Sequence, residues 1–217
     1  MDKTYIISRT EAFVKEQLGK DTTGHDWWHS DRVRNTASAI AEMENADVFI
    51  CTLAALLHDV ADEKLNPSKE AGLQKVHTWL KDHLTDQEQI NHIMNIIETM
   101  SFSGGGGEPM KSLEGQVVQD ADRLDALGAV GISRVFAFSG AKGRPIHDPG
   151  VDPREESLKE EYRDYSKGTA INHFYEKLLK LKFSMNTPYG RKIAEERHEF
   201  MLSFLDQFYK EWNQGDK

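Results

Sequence analysis

The chain has 217 residues, of which 38% are hydrophobic and 29% are charged, and its formal net charge at pH 7 is −9. This composition is typical of a folded globular protein with a sizeable core and excludes a disordered chain. The negative charge argues against a nucleic-acid polymer as partner, because affinity for phosphate backbones comes mostly from Lys and Arg, whereas a small phosphorylated substrate stays compatible with it.

Apolar residues recur at spacings of three and four along almost the whole chain, and alternation of apolar and polar residues is nearly absent. This pattern predicts an all-α fold. The segment 47–60 is apolar on nearly all sides, which predicts a helix buried in the centre of the domain. In chain order, the predicted helices span residues 7–18, 27–43, 47–60, 68–83, 86–100, 113–126, 129–138, 155–183 and 188–212.

Two loops interrupt the predicted helices. Residues 104–107 are four consecutive glycines, and because they lack the Lys-Ser/Thr ending of a P-loop, a flap or linker is favoured over a phosphate cradle. Residues 139–153 form the second loop, whose length inside a compact domain indicates either function or disorder. We expect a single domain over residues 1–217, with a motif-bearing core at about 20–135 and C-terminal helices at 155–213.

The sequence also predicts a compartment and possible partners. Cys51 is the single cysteine, so stability comes from packing and not from disulfides, as expected in a reducing cytosol. The N-terminus lacks the apolar core of a signal peptide, and no stretch approaches the roughly twenty apolar residues of a membrane span. We therefore expect a cytoplasmic protein without a membrane partner. An apolar stripe in the last helix is predicted to pack in the bundle, with a homodimer interface as the alternative, and consists of Phe200, Phe204, Phe208 and Trp212.

The strongest chemical signal is the pair His58 and Asp59 at the end of the apolar segment 47–60. An imidazole and a carboxylate are costly to bury without partners. Adjacent helix positions point about 100° apart, so both side chains reach one ion only from a helix end. A metal ion accepts both donors, whereas a helix cap with a solvated carboxylate is the alternative interpretation.

Two further segments complete a recognisable pattern. One is Gly-His-Asp-Trp-Trp-His, ending at His29, and the other is Asp-Ala-Asp-Arg-Leu-Asp-Ala around Asp122. The order of histidine, His-Asp and aspartate resembles the HD-domain superfamily of metal-dependent phosphohydrolases, and in particular its small stand-alone bacterial members with nucleotide pyrophosphohydrolase activity. The resemblance implies a helical HD-domain bundle with additional C-terminal helices. It also implies that one divalent metal ion is held by His29, His58, Asp59 and Asp122.

Neighbouring polar residues have open assignments. Asp125 lies three residues beyond Asp122 and on nearly the same helix face, so it is the second choice for the fourth ligand and otherwise an outer partner near the substrate. Asp120 lies on another face and is predicted to be solvated or to act as a cap. His25 lies four residues before His29, and a role beside the substrate and a structural role are equally open.

A phosphohydrolase also needs cations for the substrate and an acid that orients water. An ordinary surface charge is the alternative for each candidate cation. Asp26 is a candidate helix cap, and Trp27 and Trp28 are predicted to pack, with stacking on a base as the alternative. The candidates for orienting water are Asp62 and Glu98, and those for contacting the substrate phosphates are Arg32, Lys64, Arg123 and Arg144.

Two imidazoles and two carboxylates favour Mn²⁺, with Mg²⁺, Fe²⁺, Co²⁺, Ni²⁺ and Zn²⁺ as alternatives. The resemblance implies hydrolysis of a nucleoside triphosphate to the monophosphate and pyrophosphate, with a metal-activated water as nucleophile. One alternative is a nucleotidase or phosphomonoesterase of the same superfamily. The other is a regulatory HD module that binds a nucleotide without turnover.

Overall fold

The computed structural model describes residues 2–19, 26–62, 65–100, 110–154 and 168–213. In these ranges the chain is helical and contains no strand, which confirms the predicted all-α class. Within the same ranges lie two 3-10 helices, His58–Ala61 and Leu178–Ser184. The α-helices, numbered in chain order, are α1 (Lys3–Leu18), α2 (Trp27–Glu44), α3 (Val48–Leu57), α4 (Lys69–His83), α5 (Gln87–Thr99), α6 (Leu113–Asp125), α7 (Gly128–Ala141), α8 (Ala170–Glu176) and α9 (Pro188–Trp212).

Most of the described α-helices begin where the sequence offers a side-chain cap. Thr187 caps α9 ahead of Pro188, whose fixed φ suits a first helical position. The caps of α2 to α5 each accept a backbone N–H in the first turn and lie within one residue of the predicted starts. They are Asp26, Asp47, Ser68 and Asp86.

The chain divides into two compact units, Met1–Asp122 and Arg123–Lys217. In the first unit α3 packs against α1, α2 and α5, and every residue of this helix after Val48 is buried. Full burial of a leucine side chain contributes about 1.5–3 kcal/mol. The burial of α3 on all sides is therefore a principal source of stability for this unit. The predicted buried central helix is thereby confirmed, whereas a single domain over residues 1–217 stays a prediction.

The second unit has an aromatic core. The Phe174 ring stacks on Phe204 with centroids 5.8 Å apart, and Phe136 lies 5.9 Å from Phe204. Phe208 continues the cluster at 6.2 Å from Phe204. The predicted apolar stripe of α9 therefore packs inside this unit through its two central rings, while Phe200 is exposed. A homodimer stays a prediction.

The prediction of one helix over residues 155–183 is wrong within its described part. Thr169 caps a new helix by accepting the Asn172 N–H, so α8 begins there. Lys177, at φ −137° and ψ −58°, leaves helical geometry and ends α8. The following turns are a 3-10 helix, Leu178–Ser184. Periodicity alone does not reveal such breaks, because the apolar spacing continues across them.

The boundary of the second predicted loop also shifts. Helix α7 continues to Ala141, so the non-helical segment begins at Lys142, where Gly143 has φ +66°. The four-glycine run at 104–107 lies outside the described residues.

Within the described ranges no single helix is long and apolar enough to span a membrane, and one bent pair, α6 with α7, meets that test by length and composition only.

We predict that Cys51 is unreactive in the folded protein. Its side chain is fully buried in α3, and burial together with the charges of Glu114 and Asp47 raises the pKa of the thiol to about 12. Because the thiolate is the nucleophile, labelling with a disulfide reagent at pH 8 requires unfolding. The expected time course shows one thiol per chain in denaturant and almost none without it. Rapid stoichiometric labelling of the native protein would contradict this burial.

Candidate metal centre

Four donor side chains from three helical segments meet in the first unit. His29 lies in the first turn of α2, His58 and Asp59 open the 3-10 helix after α3, and Asp122 lies near the end of α6. His29 Nε2 is 3.4 Å from Asp59 Oδ2 and 3.4 Å from Asp122 Oδ1. His58 Nε2 is 3.3 Å from Asp59 Oδ1 and 4.0 Å from Asp122 Oδ1. The residue types and the separations together indicate a metal centre.

The 3-10 turn explains how two adjacent residues point to one place. Helix α3 ends at Leu57, and the tighter turn that starts at His58 lets the imidazole and the Asp59 carboxylate converge. Asn66 holds this turn by donating from Nδ2 to the carbonyls of Val60 and Asp62, both at 2.8 Å. Both side chains thus lie at a helix end, as predicted, and their binding of one ion stays a prediction.

Close packing of α4 supports the same turn. A Cβ built on Gly72 would lie 2.5 Å from the Ala61 carbonyl oxygen, a distance that side-chain carbons do not adopt. Only glycine therefore lets α4 approach the backbone of the 3-10 helix so closely.

The ring of His58 is set in one tautomer by a backbone contact. Its Nδ1 lies 2.7 Å from the Ala55 carbonyl oxygen, which can only accept, so Nδ1 carries the hydrogen. Nε2 then presents a lone pair toward the oxygens of Asp59 and Asp122, and within the described ranges it has no hydrogen-bond donor. A lone pair facing two carboxylates is unfavourable in water-free surroundings unless a cation lies among them. The ring orientation therefore fits a metal ligand.

His29 is placed by the cap of its helix. The Asp26 carboxylate accepts the His29 N–H at 2.9 Å, which fixes the first turn of α2, and the imidazole is buried. The rings of His29 and His58 meet edge to face with centroids 5.3 Å apart. Asp26 was a candidate cap from the sequence, and that role is confirmed.

The two carboxylates differ in exposure. The side chain of Asp59 is 8% exposed and that of Asp122 is 39% exposed, so Asp122 marks the open side of the centre. Removal from water opposes ionisation of Asp122, but the neighbouring imidazoles of His29 and His58 outweigh it, and the pKa of Asp122 lies below its usual value. The carboxylate of Asp122 is therefore suited to bind a cation at neutral pH.

The separations are short enough for the four side chains to bind one divalent ion. Bonds of about 2.1 Å place neighbouring ligand atoms about 3.0 Å apart and opposite ones about 4.2 Å apart. The four measured separations, from 3.3 to 4.0 Å, lie between these limits. One ligand atom each from His29, His58 and Asp59 also lies within 4.8 Å of the other two. These three residues can hold an ion, and Asp122 would be the fourth ligand on the open side.

The three aspartates near the end of α6 have different surroundings in the structure. Asp125 is buried and forms an ion pair of 2.6 Å with Arg134, whereas Asp122 reaches both imidazoles. Asp120 is fully buried, so its predicted solvated position is wrong. It precedes Asp122 by two residues, and this offset turns its side chain toward the interior.

The other predicted residues have mixed placements. The guanidinium of Arg123 donates to the Ser184 carbonyl. Arg144 is buried, and its backbone N–H donates to the Ser139 carbonyl at 2.8 Å. Arg32 is half-buried on α2. Contacts of these cations with substrate stay predictions. His25 and Lys64 lie outside the described residues.

The two candidate water-orienting acids also differ. Asp62 follows the 3-10 helix, and its N–H donates to the Asp59 carbonyl at 3.0 Å. Glu98 is exposed on α5. Both roles stay predictions. The Ala55 carbonyl was missed from the sequence, and no signal could have found it, because every residue type supplies the same backbone acceptor.

Comparisons with known proteins give the family that this chain resembles. A family model described as the HD domain matches residues 27–127. The YpgQ protein of Bacillus subtilis is 41% identical over 203 residues, covering 92% of this chain and 90% of YpgQ. A crystal structure described as an HD-superfamily hydrolase from Bacillus thuringiensis has 47% identity and a TM-score of 0.80, covering 98% of this chain and 99% of the other. The structure of YpgQ in complex with ADP has 39% identity and a TM-score of 0.78, covering 97% of each chain.

We predict that Asp59→Asn removes metal binding without unfolding the protein. The substitution keeps the shape of the side chain but replaces a charged ligand oxygen with a weaker neutral one. The wild-type melting temperature should rise with added Mn²⁺, because a ligand at a hundred times its Kd stabilises by about 2.7 kcal/mol, and the variant should lose this rise. The exposed Asp82→Asn makes the same charge change on α4 and should behave as wild type. An unchanged metal content per chain in the Asp59 variant would contradict the assignment.

A second prediction concerns the cap beneath His29. Asp26→Ala should lower the free energy of unfolding by about 1 kcal/mol and also weaken Mn²⁺ binding, because the first turn that carries His29 loosens. Asp86→Ala removes the equivalent cap of α5 and should cost similar stability while leaving Mn²⁺ affinity unchanged. Urea unfolding and calorimetric Mn²⁺ titration of both variants measure the two effects. Equal loss of affinity in the two variants would show that the cap acts only through general stability.

Proposed function

This chain belongs to the HD-domain family of hydrolases, and from that premise we propose that it hydrolyses nucleoside triphosphates to the monophosphate and pyrophosphate with one divalent metal ion. The observation that carries the proposal is the cluster of His29, His58, Asp59 and Asp122, whose donor atoms lie 3.3–4.0 Å apart. A cap or a buried ion pair does not require two imidazoles and two carboxylates in so small a volume. A divalent ion that assists hydrolysis accounts for all four side chains.

The four ligands would leave two positions of an octahedral ion for water and a phosphoryl oxygen. When bound, the ion supplies Lewis-acid chemistry, by lowering the pKa of water and polarising a phosphoryl group. Two imidazole nitrogens beside two carboxylates favour Mn²⁺ over Mg²⁺, because Mg²⁺ prefers oxygen ligands alone. The half-exposed Asp122 would face the substrate, whereas the buried His29 and Asp59 would hold the ion on the opposite, closed side.

A nucleotide is the favoured substrate because of a relative. The YpgQ protein, 39% identical to this chain, forms a crystalline complex with ADP. The single cysteine, Cys51, is buried and free, which agrees with a reaction in the reducing cytoplasm, where nucleoside triphosphates are available. The negative net charge of −9 makes a small nucleotide a better substrate than a nucleic-acid polymer.

The proposed step is attack of water at the α-phosphorus. The new bond joins the water oxygen to that phosphorus, and the bond to the bridging oxygen breaks, so pyrophosphate leaves with the bonding electron pair. One proton of the attacking water is released to solvent. Asp62 is the favoured residue for orienting the water, because it directly follows the turn that carries Asp59 and its N–H is bonded to that residue. Arg32, three residues beyond His29 on α2, is the favoured phosphate contact within the described ranges.

We predict that metal-stripped protein resupplied with Mn²⁺ releases pyrophosphate from at least one nucleoside triphosphate. Pyrophosphate and orthophosphate should be measured separately across Mn²⁺, Mg²⁺, Co²⁺ and Ni²⁺, with mono- and triphosphates of each base. We expect one pyrophosphate per monophosphate formed and at least a thousandfold loss of kcat in Asp59→Asn, because a ligand of the catalytic ion is removed. The Asp82→Asn variant is the matched control.

Other outcomes would select a different function. Orthophosphate released from monophosphates, without pyrophosphate from triphosphates, would replace the proposal with a nucleotidase of the same superfamily. Absence of any product from folded, metal-loaded protein would replace it with a regulatory module that binds nucleotides. Pyrophosphate release that persists in Asp59→Asn would remove the cluster from the mechanism.

A further inference from the structure

Two adjacent tryptophans next to the metal centre have opposite environments. Trp27 is buried at 9% exposure, with the Lys15 ammonium 4.3 Å from the centroid of its ring. Trp28 is 64% exposed, although packing was predicted for both residues. An exposed indole forgoes a few kcal/mol of hydrophobic stabilisation that burial would provide. Its position directly before the buried His29 therefore calls for an explanation other than packing.

Helix geometry connects this indole to the metal centre. Each residue turns the helix by about 100°, so Arg32 lies about 40° around the axis from Trp28 and about 60° from His29. Arg32 thus lies between the other two on one flank of α2. Exposure falls in the same order, from the exposed Trp28 through the half-buried Arg32 to the buried His29. The flank therefore runs from solvent to the metal ligands, with an aromatic, a cationic and a metal-binding side chain in turn.

This order matches the chemistry of a nucleotide. We propose that Trp28 is the platform on which the base of the substrate stacks, while the phosphates lie toward Arg32 and His29. The inference rests on the proposed function and adds a residue that recognises the base. An indole face binds any base by stacking, and a purine, with its larger ring system, gains more than a pyrimidine. A guanidinium between base and metal centre is suited to the phosphates.

The test compares ligands with and without a base. Calorimetry on Mn²⁺-loaded protein gives Kd for ADP and for inorganic pyrophosphate, which shares its phosphates and lacks the base. In Trp28→Ala we expect the Kd for ADP to rise by about 5- to 100-fold, the range that loss of one base stack produces, while the Kd for pyrophosphate stays within about twofold. Trp28→Phe keeps an aromatic face and should restore most of the ADP affinity.

A matched control exists on the same helix. Met43 is 61% exposed on α2 and lies about 22 Å further along its axis, so Met43→Ala removes a comparable exposed apolar side chain away from the centre. Neither Kd should change in this variant. A kinetic measurement adds a second readout: Trp28→Ala should raise KM for triphosphates and leave kcat within about threefold, since the stacked base is remote from the reacting phosphorus.

The outcomes separate this inference from the proposed function. Equal loss of ADP and pyrophosphate binding in Trp28→Ala would show that the indole only supports the metal centre, and unchanged ADP binding would show that it is not a base platform. Either result overturns the inference while pyrophosphate release by the wild-type protein still stands. Selective loss of ADP affinity in a protein without turnover would support the platform and contradict only the hydrolysis.

Discussion

The first unit is organised around an electrostatic problem, which is the confinement of two carboxylates and two imidazoles in one small volume. Asp59 and Asp122 would repel each other, and the lone pair of His58 Nε2 faces both of them. Such an arrangement is stable only when a cation compensates it or when the surrounding fold holds it in place. The apolar helix α3 supplies this rigidity, because its side chains are packed on all sides.

The details around the centre all serve to position these donors. The Asp26 cap fixes the turn that carries His29, and the Ala55 carbonyl selects the tautomer of His58. The absence of a side chain at Gly72 lets α4 pack closely on the 3-10 helix. These contacts are made by backbone groups or by short side chains, which have little conformational freedom to lose. Geometry prepared in this way is what an ion with strict coordination requires.

The side chains of the centre differ in burial, and this difference separates two proposed roles. The buried His29 and Asp59 would hold the ion on the closed side, whereas Asp122 lies on the open side. The same helix α2 carries both His29 and the exposed Trp28. Metal chemistry and recognition of a base would thus be performed by one helix, with a rotation of about 100° between His29 and Trp28. Removal of the base platform should therefore change affinity without changing the ligands of the ion.

Signals within one or two helical turns were sufficient for the fold class, for most helix boundaries and for the His58–Asp59 pair, because caps, apolar spacing and costly polar pairs are local properties of the sequence. The resemblance to a known family added His29 and Asp122. Only the tertiary structure decided that the atoms of these residues approach to 3.4 Å, that Asp120 is buried and that Trp27 packs while Trp28 does not. Distances between residues remote along the chain and the choice of buried face depend on which helices pack together, and this is a property of the whole core and not of any local segment.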